Sequence, residues 1–112
     1  MGFQVETIQN IVVIRPNGEL DLHLADQLRD SIDEALDVHN SHYLIVNLGN
    51  VSYIDSSGLG VLLGRYKRLA AKGGKVLLVA PSPQVKKVLE LSGLFRIMDT
   101  FLTEQEAVQR IV

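Results

Sequence analysis

The sequence predicts an α/β fold, a single domain over residues 1–112 with a mixed β-sheet and about four α-helices. Short apolar runs alternate with segments in which apolar residues recur every three or four positions, which is typical of strands alternating with helices. Only Gln9-Asn10 separates the first two apolar runs, so an antiparallel hairpin is expected there. The later strands are separated by helices and should be mainly parallel. A chain of 112 residues can bury one hydrophobic core and leaves little room for a second.

The first predicted element is the hairpin. Residues 3–7 alternate apolar or β-branched side chains with polar ones, the period-two pattern of a half-buried strand. Residues 11–14 are Ile-Val-Val-Ile, which indicates a more deeply buried second strand. Pro16-Asn17-Gly18 is expected to break or bend the end of this strand, because proline cannot donate to a ladder.

Helices and strands then alternate to the end of the chain. Apolar residues from Leu24 to Leu36 recur at helical spacing and predict the first helix. The run from Tyr43 to Leu48 indicates a strand covered on both faces, expected to continue through Ile54. Capping and breaking residues predict the other elements. These are a helix from Asp55-Ser56-Ser57 to Lys72-Gly73-Gly74, a strand over Lys75 to Ala80, a helix from Ser82-Pro83 to Gly93, at most a short strand at Ile97-Met98, and a helix from Thr103 through Ile111.

Composition and charge narrow the function classes. A formal charge of −2 provides no basic field of the kind that attracts nucleic acid or a membrane surface. The chain has no cysteine, which excludes disulfides and thiolate metal sites and fits a reducing compartment. It shows neither a signal-peptide pattern nor an apolar run near the ~20 residues of a membrane span. We therefore expect a cytoplasmic protein that uses no cofactor and binds neither nucleic acid nor membrane.

Acidic residues and two hydroxyls follow two of the predicted strands. Glu19 and Asp21 come after the second strand, and Asp55, Ser56 and Ser57 come after the third. If these strands are neighbours, all five side chains share one edge of the sheet, the edge at which α/β proteins place their functional groups. The alternative is that Asp21 and Asp55 only cap the helices that follow them.

The sequence lacks the partners that an enzyme would need. A Gly-x-Ser-x-Gly elbow is missing its first glycine, and a phosphate-binding loop ending at Gly74 would need glycine at Leu69. His23 is a conceivable base for Ser56, but no third group is evident to orient it. Gly60 and Gly64, four residues apart, are interpreted as a place of close helix packing, not as part of a cofactor site. We therefore predict a protein that is not an enzyme.

The run Asp55-Ser56-Ser57-Gly58-Leu59-Gly60, continuing to Lys67, resembles the anti-sigma factor antagonists of the STAS domain family, in particular their sporulation branch. Gly18-Glu19-Leu20-Asp21 matches an upstream motif of that family, and Ser92-Gly93-Leu94-Phe95 matches a third one. Pro81-Ser82-Pro83 is also similar to the sporulation branch. Leu22 is a departure, because that branch often carries the first of two histidines there, and His23 keeps the second.

The resemblance implies a single STAS-type domain that regulates transcription by partner switching. Proteins of this family bind an anti-sigma factor that is also a GHKL-type serine kinase, and their binding releases the sigma factor. The kinase phosphorylates the serine after the motif's aspartate, here Ser56, and the phosphorylated form dissociates until a separate serine phosphatase restores it. The partner-binding residues implied in this chain are Glu19, Asp21, Asp55, Ser56, Ser57, Gly58 and Leu59.

Several alternatives stay open at this point. Ser57 is the rival phosphate acceptor, and Leu59 fits a core position as well as a contact position. A general stress-response antagonist and a STAS module unrelated to sigma factors, such as a stressosome component or a lipid-transport subunit, share the same fold. Weak nucleotide binding at a helix N-terminus is a further possibility.

Overall fold

A computed structural model describes residues 2–112 of the chain. The described residues form six strands, four α-helices and one 3₁₀ turn at Leu94–Arg96. The strands are β1 (Gly2–Ile8), β2 (Ile11–Leu20), β3 (Tyr43–Asn47), β4 (Val51–Ile54), β5 (Lys75–Val79) and β6 (Asp99–Phe101). The helices are α1 (Leu22–His39), α2 (Ser56–Ala70), α3 (Pro83–Leu91) and α4 (Glu104–Ile111).

The sheet is mixed, as predicted. Its strands lie in the order β1-β2-β3-β5-β6, and β4 pairs with β2 beside this path. β1 and β2 form the predicted antiparallel hairpin, whose turn residues Gln9 and Asn10 have φ of 50° and 66°. Two successive positive φ values are typical of the type I′ turn that matches the twist of a hairpin. Every other strand pair is parallel.

Pro16-Asn17-Gly18 was predicted to break or bend the end of the second strand. The strand is not broken there, because β2 runs on to Leu20, but its pairing shifts register between Gly18 and Glu19. Pro16 lies opposite Phe3 in the hairpin. On the other side of β2, pairing with β3 stops at Ile14 and pairing with β4 starts at Gly18. A proline in this gap removes no ladder hydrogen bond on that side, so the strand tolerates it.

The prediction of one continuous third strand is also wrong. The chain turns at Leu48-Gly49-Asn50, where the Val51 N–H donates to the Leu48 carbonyl at 3.1 Å. β3 pairs with the first part of β2, and β4 pairs with the last part. Because β2 has ten residues, it accommodates two parallel partners in succession on one side.

A third difference concerns the segment after α3. The short strand predicted at Ile97-Met98 lies instead at Asp99–Phe101. Gly93, with φ of 83°, ends α3, and the 3₁₀ turn that follows returns the chain to the core through Leu94. The chain therefore reaches β5 two residues later than the apolar pattern suggested.

The predicted helix signals are confirmed. Asp21, Asp55, Ser82 and Thr103 cap α1, α2, α3 and α4 through their side chains. Gly73, beyond the end of α2, has φ of 76°, as expected for a glycine that ends a helix. None of the helices in residues 2–112 combines the length and the hydropathy of a membrane-spanning segment.

The sheet has a hydrophobic core on each face. One core holds the apolar stripes of α1, α2 and α3 against β2, β3 and β5. The other is covered by α4, through Ala107, Val108 and Ile111. The helices α1 and α2 therefore lie on the same face, and their N-termini both follow strands that pair with each other.

A polar network holds α4 in place. Arg15 Nε and Nη2 on β2 donate to the Glu104 carboxylate at 2.7 and 2.8 Å, and the Asn47 amide donates to the same group at 2.7 Å. The hydrogen bond from Arg15 is the main reason why the pKa of Glu104 is lowered from its ordinary value. Arg15 also pairs with Glu6 on β1 at 2.7 Å. This network connects α4 to three strands.

The depressed pKa of Glu104 predicts a pH-dependent contribution to stability. A carboxyl with a lowered pKa in the folded state stabilises the fold above its unfolded pKa, and the contribution is lost as the pH falls through the folded pKa. We expect Glu104→Gln to lower the free energy of unfolding by about 1 kcal/mol at neutral pH, and by less below about pH 4. Urea unfolding at neutral and at acid pH measures this loss of stability, and the exposed Glu90→Gln serves as the control. An equal loss at acid and neutral pH would contradict the assignment.

Candidate functional site

Two acidic turns meet at one edge of the sheet. β2 and β4 pair in parallel, with Glu19 opposite Tyr53 and Leu20 opposite Ile54. The Asp55 N–H continues this pairing by donating to the Leu20 carbonyl at 3.2 Å. The two strands are therefore neighbours, which is what the predicted shared edge required. We call the group formed by Glu19, Asp21, Asp55, Ser56 and Ser57 the acidic edge.

Both aspartates cap helices, as the alternative interpretation proposed. Asp21 Oδ1 accepts hydrogen bonds from the N–H groups of His23 and Leu24 at 3.0 and 3.3 Å. Asp55 Oδ1 accepts from the N–H groups of Ser57 and Gly58 at 2.8 and 3.1 Å. Each pair of bonds uses one carboxylate oxygen, and a carboxylate has two. Capping is therefore compatible with a second contact, and it fixes both carboxylates at helix N-termini.

The two serines differ in accessibility. Ser56 is the first residue of α2 and is exposed, whereas Ser57 is half-buried. A hydroxyl at the first position of a helix lies at the positive end of the helix dipole, where added negative charge is tolerated. Of the two hydroxyls, that of Ser56 is the more accessible to a modifying enzyme.

Gly58 sets how closely α2 approaches β2. A Cβ at this position would lie 2.4 Å from the Leu20 carbonyl oxygen and 2.8 Å from Ile54 Cγ1. Only glycine fits this gap without movement of the backbone. Leu59, the next residue, is half-buried and packs against the core of the α1 to α3 face, so its exposed part remains available for a contact.

The interpretation of Gly60 and Gly64 as a close packing site is wrong. A Cβ built at either position has no neighbouring atom within 4 Å. The close approach is made two residues before Gly60, at Gly58. The spacing of the glycines did not single out Gly58, because the atoms that it approaches include those of Leu20 on β2, which is distant in sequence.

A cleft of about 740 Å³ opens beside the acidic edge. It lies between the end of β2 and the first turns of α1, and Ser52 of β4 contributes to its wall. Its lining combines apolar surface with polar groups, which include the side chains of Glu19, Asp21, His23, Gln27 and Ser52. The carboxylates of this lining favour a cationic group over an anionic one.

The sequence did not indicate two exposed apolar side chains beside the acidic edge. Leu22, the first residue of α1, is 69% exposed, and Tyr53 on β4 is 51% exposed. Pairing between β2 and β4 shifts register after Gly18, so that Ser52 has no partner on β2. This bulge leaves Ser52 and Tyr53 both exposed, which breaks the alternation from which a strand's faces are predicted.

Ion pairs connect the two helices that begin at the acidic edge. Arg68 Nη1 of α2 lies 2.9 Å from Asp33 Oδ1 of α1, and its other terminal nitrogen pairs with Asp37. Arg65 Nε lies 3.1 Å from the same Asp33 oxygen, and burial lowers the pKa of Arg65. These pairs restrain how α1 and α2 lie relative to each other.

The chain is similar to known regulatory proteins over almost its full length. It is 42% identical to the anti-sigma F factor antagonist of Lysinibacillus sphaericus, covering 99% of this chain and 95% of that protein. It is 37% identical to the protein of the same name from Paenibacillus polymyxa, with the same coverage.

Solved structures of proteins named SpoIIAA are also similar to this chain. The anti-sigma factor antagonist SpoIIAA in its unphosphorylated form is 41% identical, with a TM-score of 0.87 over 98% of this chain and 96% of that one. The Bacillus cell fate determinant SpoIIAA in the phosphorylated form is 40% identical, with a TM-score of 0.79 over 99% of this chain and 100% of that one. The STAS domain family matches residues 2–107. The chain therefore belongs to the STAS domain family.

Proposed function

We propose that this chain is an anti-sigma factor antagonist whose binding to its anti-sigma factor is switched off by phosphorylation of Ser56. The observation that carries the proposal is the exposed hydroxyl of Ser56 at the start of α2, beside the carboxylates of Asp55, Asp21 and Glu19. Relatives at 37 and 42% identity bear the name anti-sigma F factor antagonist. Proteins named SpoIIAA, at 41 and 40% identity, have been solved in an unphosphorylated and a phosphorylated form respectively.

The proposed partner is an anti-sigma factor that is also a GHKL-type serine kinase. Its cationic groups contact Glu19 and Asp21, and the partner surface continues over Asp55, Ser56 and Ser57 to Gly58 and Leu59 at the start of α2. Binding withdraws the anti-sigma factor from its sigma factor. Phosphorylation ends the complex, and a serine phosphatase regenerates the binding form. The chain itself acts by binding and does not catalyse a reaction.

The position of Ser56 suits a switch that leaves the fold intact. A phosphate adds about −1.5 to −2 charges at neutral pH. At a helix N-terminus this charge is favourable by ~0.3–1 kcal/mol, so folding should change little. At a contact surface the same phosphate repels the neighbouring carboxylates and any acidic group of the partner, and its bulk separates the two surfaces. The switch therefore needs no large conformational change.

The test is to mix the protein with purified anti-sigma kinases and ATP, and to measure intact mass and complex formation. We expect a cognate kinase to add one phosphate to the wild type and to Ser57→Ala, whereas Ser56→Ala stays unmodified and still forms the complex. Phosphate on Ser56→Ala but not on Ser57→Ala would assign the switch to Ser57. Equal binding of the modified and unmodified forms would contradict the proposed function. Including kinases of sporulation and of stress-response pathways identifies the pathway.

A further inference from the structure

The acidic edge lies beside two exposed large apolar side chains, Leu22 and Tyr53. Leu22 directly follows Asp21, and Tyr53 lies opposite Glu19 in the β2–β4 pairing. A single exposed leucine is ordinary on a protein surface, but apolar groups gathered around fixed charges are characteristic of an interface. Each acidic turn therefore has an exposed apolar neighbour.

Neither side chain has an evident structural reason to be apolar. Leu22 lies at the first position of α1, and the apolar stripe of that helix begins two residues later at Leu24. Tyr53 is exposed because of the bulge at Ser52, and the neighbouring core positions of β4 are Val51 and Ile54. The exposed parts of both side chains contribute nothing to hydrophobic burial within this chain.

We propose that Leu22 and Tyr53 form apolar contacts with the anti-sigma partner and help determine which partner is accepted. The proposal rests on the function proposed above and specifies which kinds of side chain the surface of the anti-sigma partner carries. That surface carries cationic groups for Glu19 and Asp21, with apolar side chains next to them that cover Leu22 and Tyr53. Recognition then has two physically distinct parts, of which one depends on charge and the other on removing apolar surface from water.

The two parts respond differently to salt. Screening weakens attraction between charges at a surface, so the loss of affinity caused by Glu19→Gln should shrink as sodium chloride is raised. Apolar burial does not depend on screening of charge, so the loss caused by changing Leu22 or Tyr53 should keep the same factor. This difference allows the apolar contacts to be assigned without a structure of the complex.

The experiment measures the affinity of the cognate anti-sigma factor for Leu22→Gln and Tyr53→Thr, at low and at high salt. Glutamine keeps a good helix propensity, and threonine keeps a good strand propensity. The controls are Leu91→Gln and Leu102→Gln, because these leucines are 78 and 80% exposed and lie away from the acidic edge. Thermal unfolding of each variant verifies that it is folded.

We expect both test variants to bind at least about tenfold more weakly than wild type at either salt concentration, and both controls to bind like wild type. If either test variant binds within the range of the controls, the inference is wrong. Ser56→Asp, measured in the same series, separates this result from the proposed function. If only Ser56→Asp binds more weakly, the proposed function is supported and the apolar contacts are not. If Ser56→Asp binds like wild type, the proposed function itself is contradicted.

Discussion

Phosphorylation of Ser56 is expected to weaken binding to the anti-sigma partner by more than about 100-fold. A doubly charged phosphate ~5 Å from one carboxylate experiences roughly 1.5 kcal/mol of repulsion in bulk water, and several times more where a partner excludes water. The repulsion in bulk water is already present in the free phosphoprotein, so only its increase on exclusion of water lowers the affinity. An increase of about 3 kcal/mol, summed over two such carboxylates, corresponds to more than a 100-fold change in affinity. Asp21 and Asp55 are the two that the structure fixes near the start of α2.

Isothermal titration of the cognate anti-sigma factor with phosphorylated and unphosphorylated protein measures this effect. Ser56→Asp carries one charge in place of two, so we expect a smaller loss, of at least about tenfold. Thr100→Asp is the matched control, because Thr100 is exposed on β6, at the far end of the sheet from β2 and β4. It adds the same charge and should bind like wild type. Equal losses for both variants would mean that net charge, not position, controls binding.

Gly58→Ala is expected to lower the free energy of unfolding by about 2–3 kcal/mol. The added methyl group would lie 2.4 Å from the Leu20 carbonyl oxygen, so α2 has to move away from the end of β2. That movement weakens the hydrogen bond from Asp55 to Leu20 and separates the acidic turns. We therefore also expect weaker partner binding, even under conditions in which the variant is fully folded.

Gly60→Ala is the matched control for this prediction. It lies two residues further along the same helix, and a Cβ there meets no atom within 4 Å. Alanine is a better helix former than glycine, so this variant should be more stable than wild type by up to ~1 kcal/mol. Urea unfolding and partner titration of both variants check the pair. A Gly58→Ala variant as stable as Gly60→Ala would show that the close approach at Gly58 has no structural importance.

Much of the fold follows from local patterns in the chain. The period-two pattern of residues 3–7 and the turn at Gln9-Asn10 were sufficient to predict the hairpin, because both signals depend on side chains adjacent in sequence. The four helices were predicted from their apolar stripes and from capping residues such as Ser82 and Thr103, which act within one turn of their own helix. The two serines and their acidic neighbours were likewise evident from residue type and order, whereas the choice of Ser56 came from the family resemblance.

The sequence by itself thus determined the α/β class, the hairpin, the helices and the residue types at the acidic edge. Only the tertiary structure decided that the third strand divides at Leu48-Gly49-Asn50, because β2 is long enough to pair with β3 and β4 in succession. It also decided that Gly58, and not Gly60, makes the close approach, and that Tyr53 is exposed. These features depend on contacts between residues more than 30 positions apart, which no local pattern of apolar and polar side chains encodes.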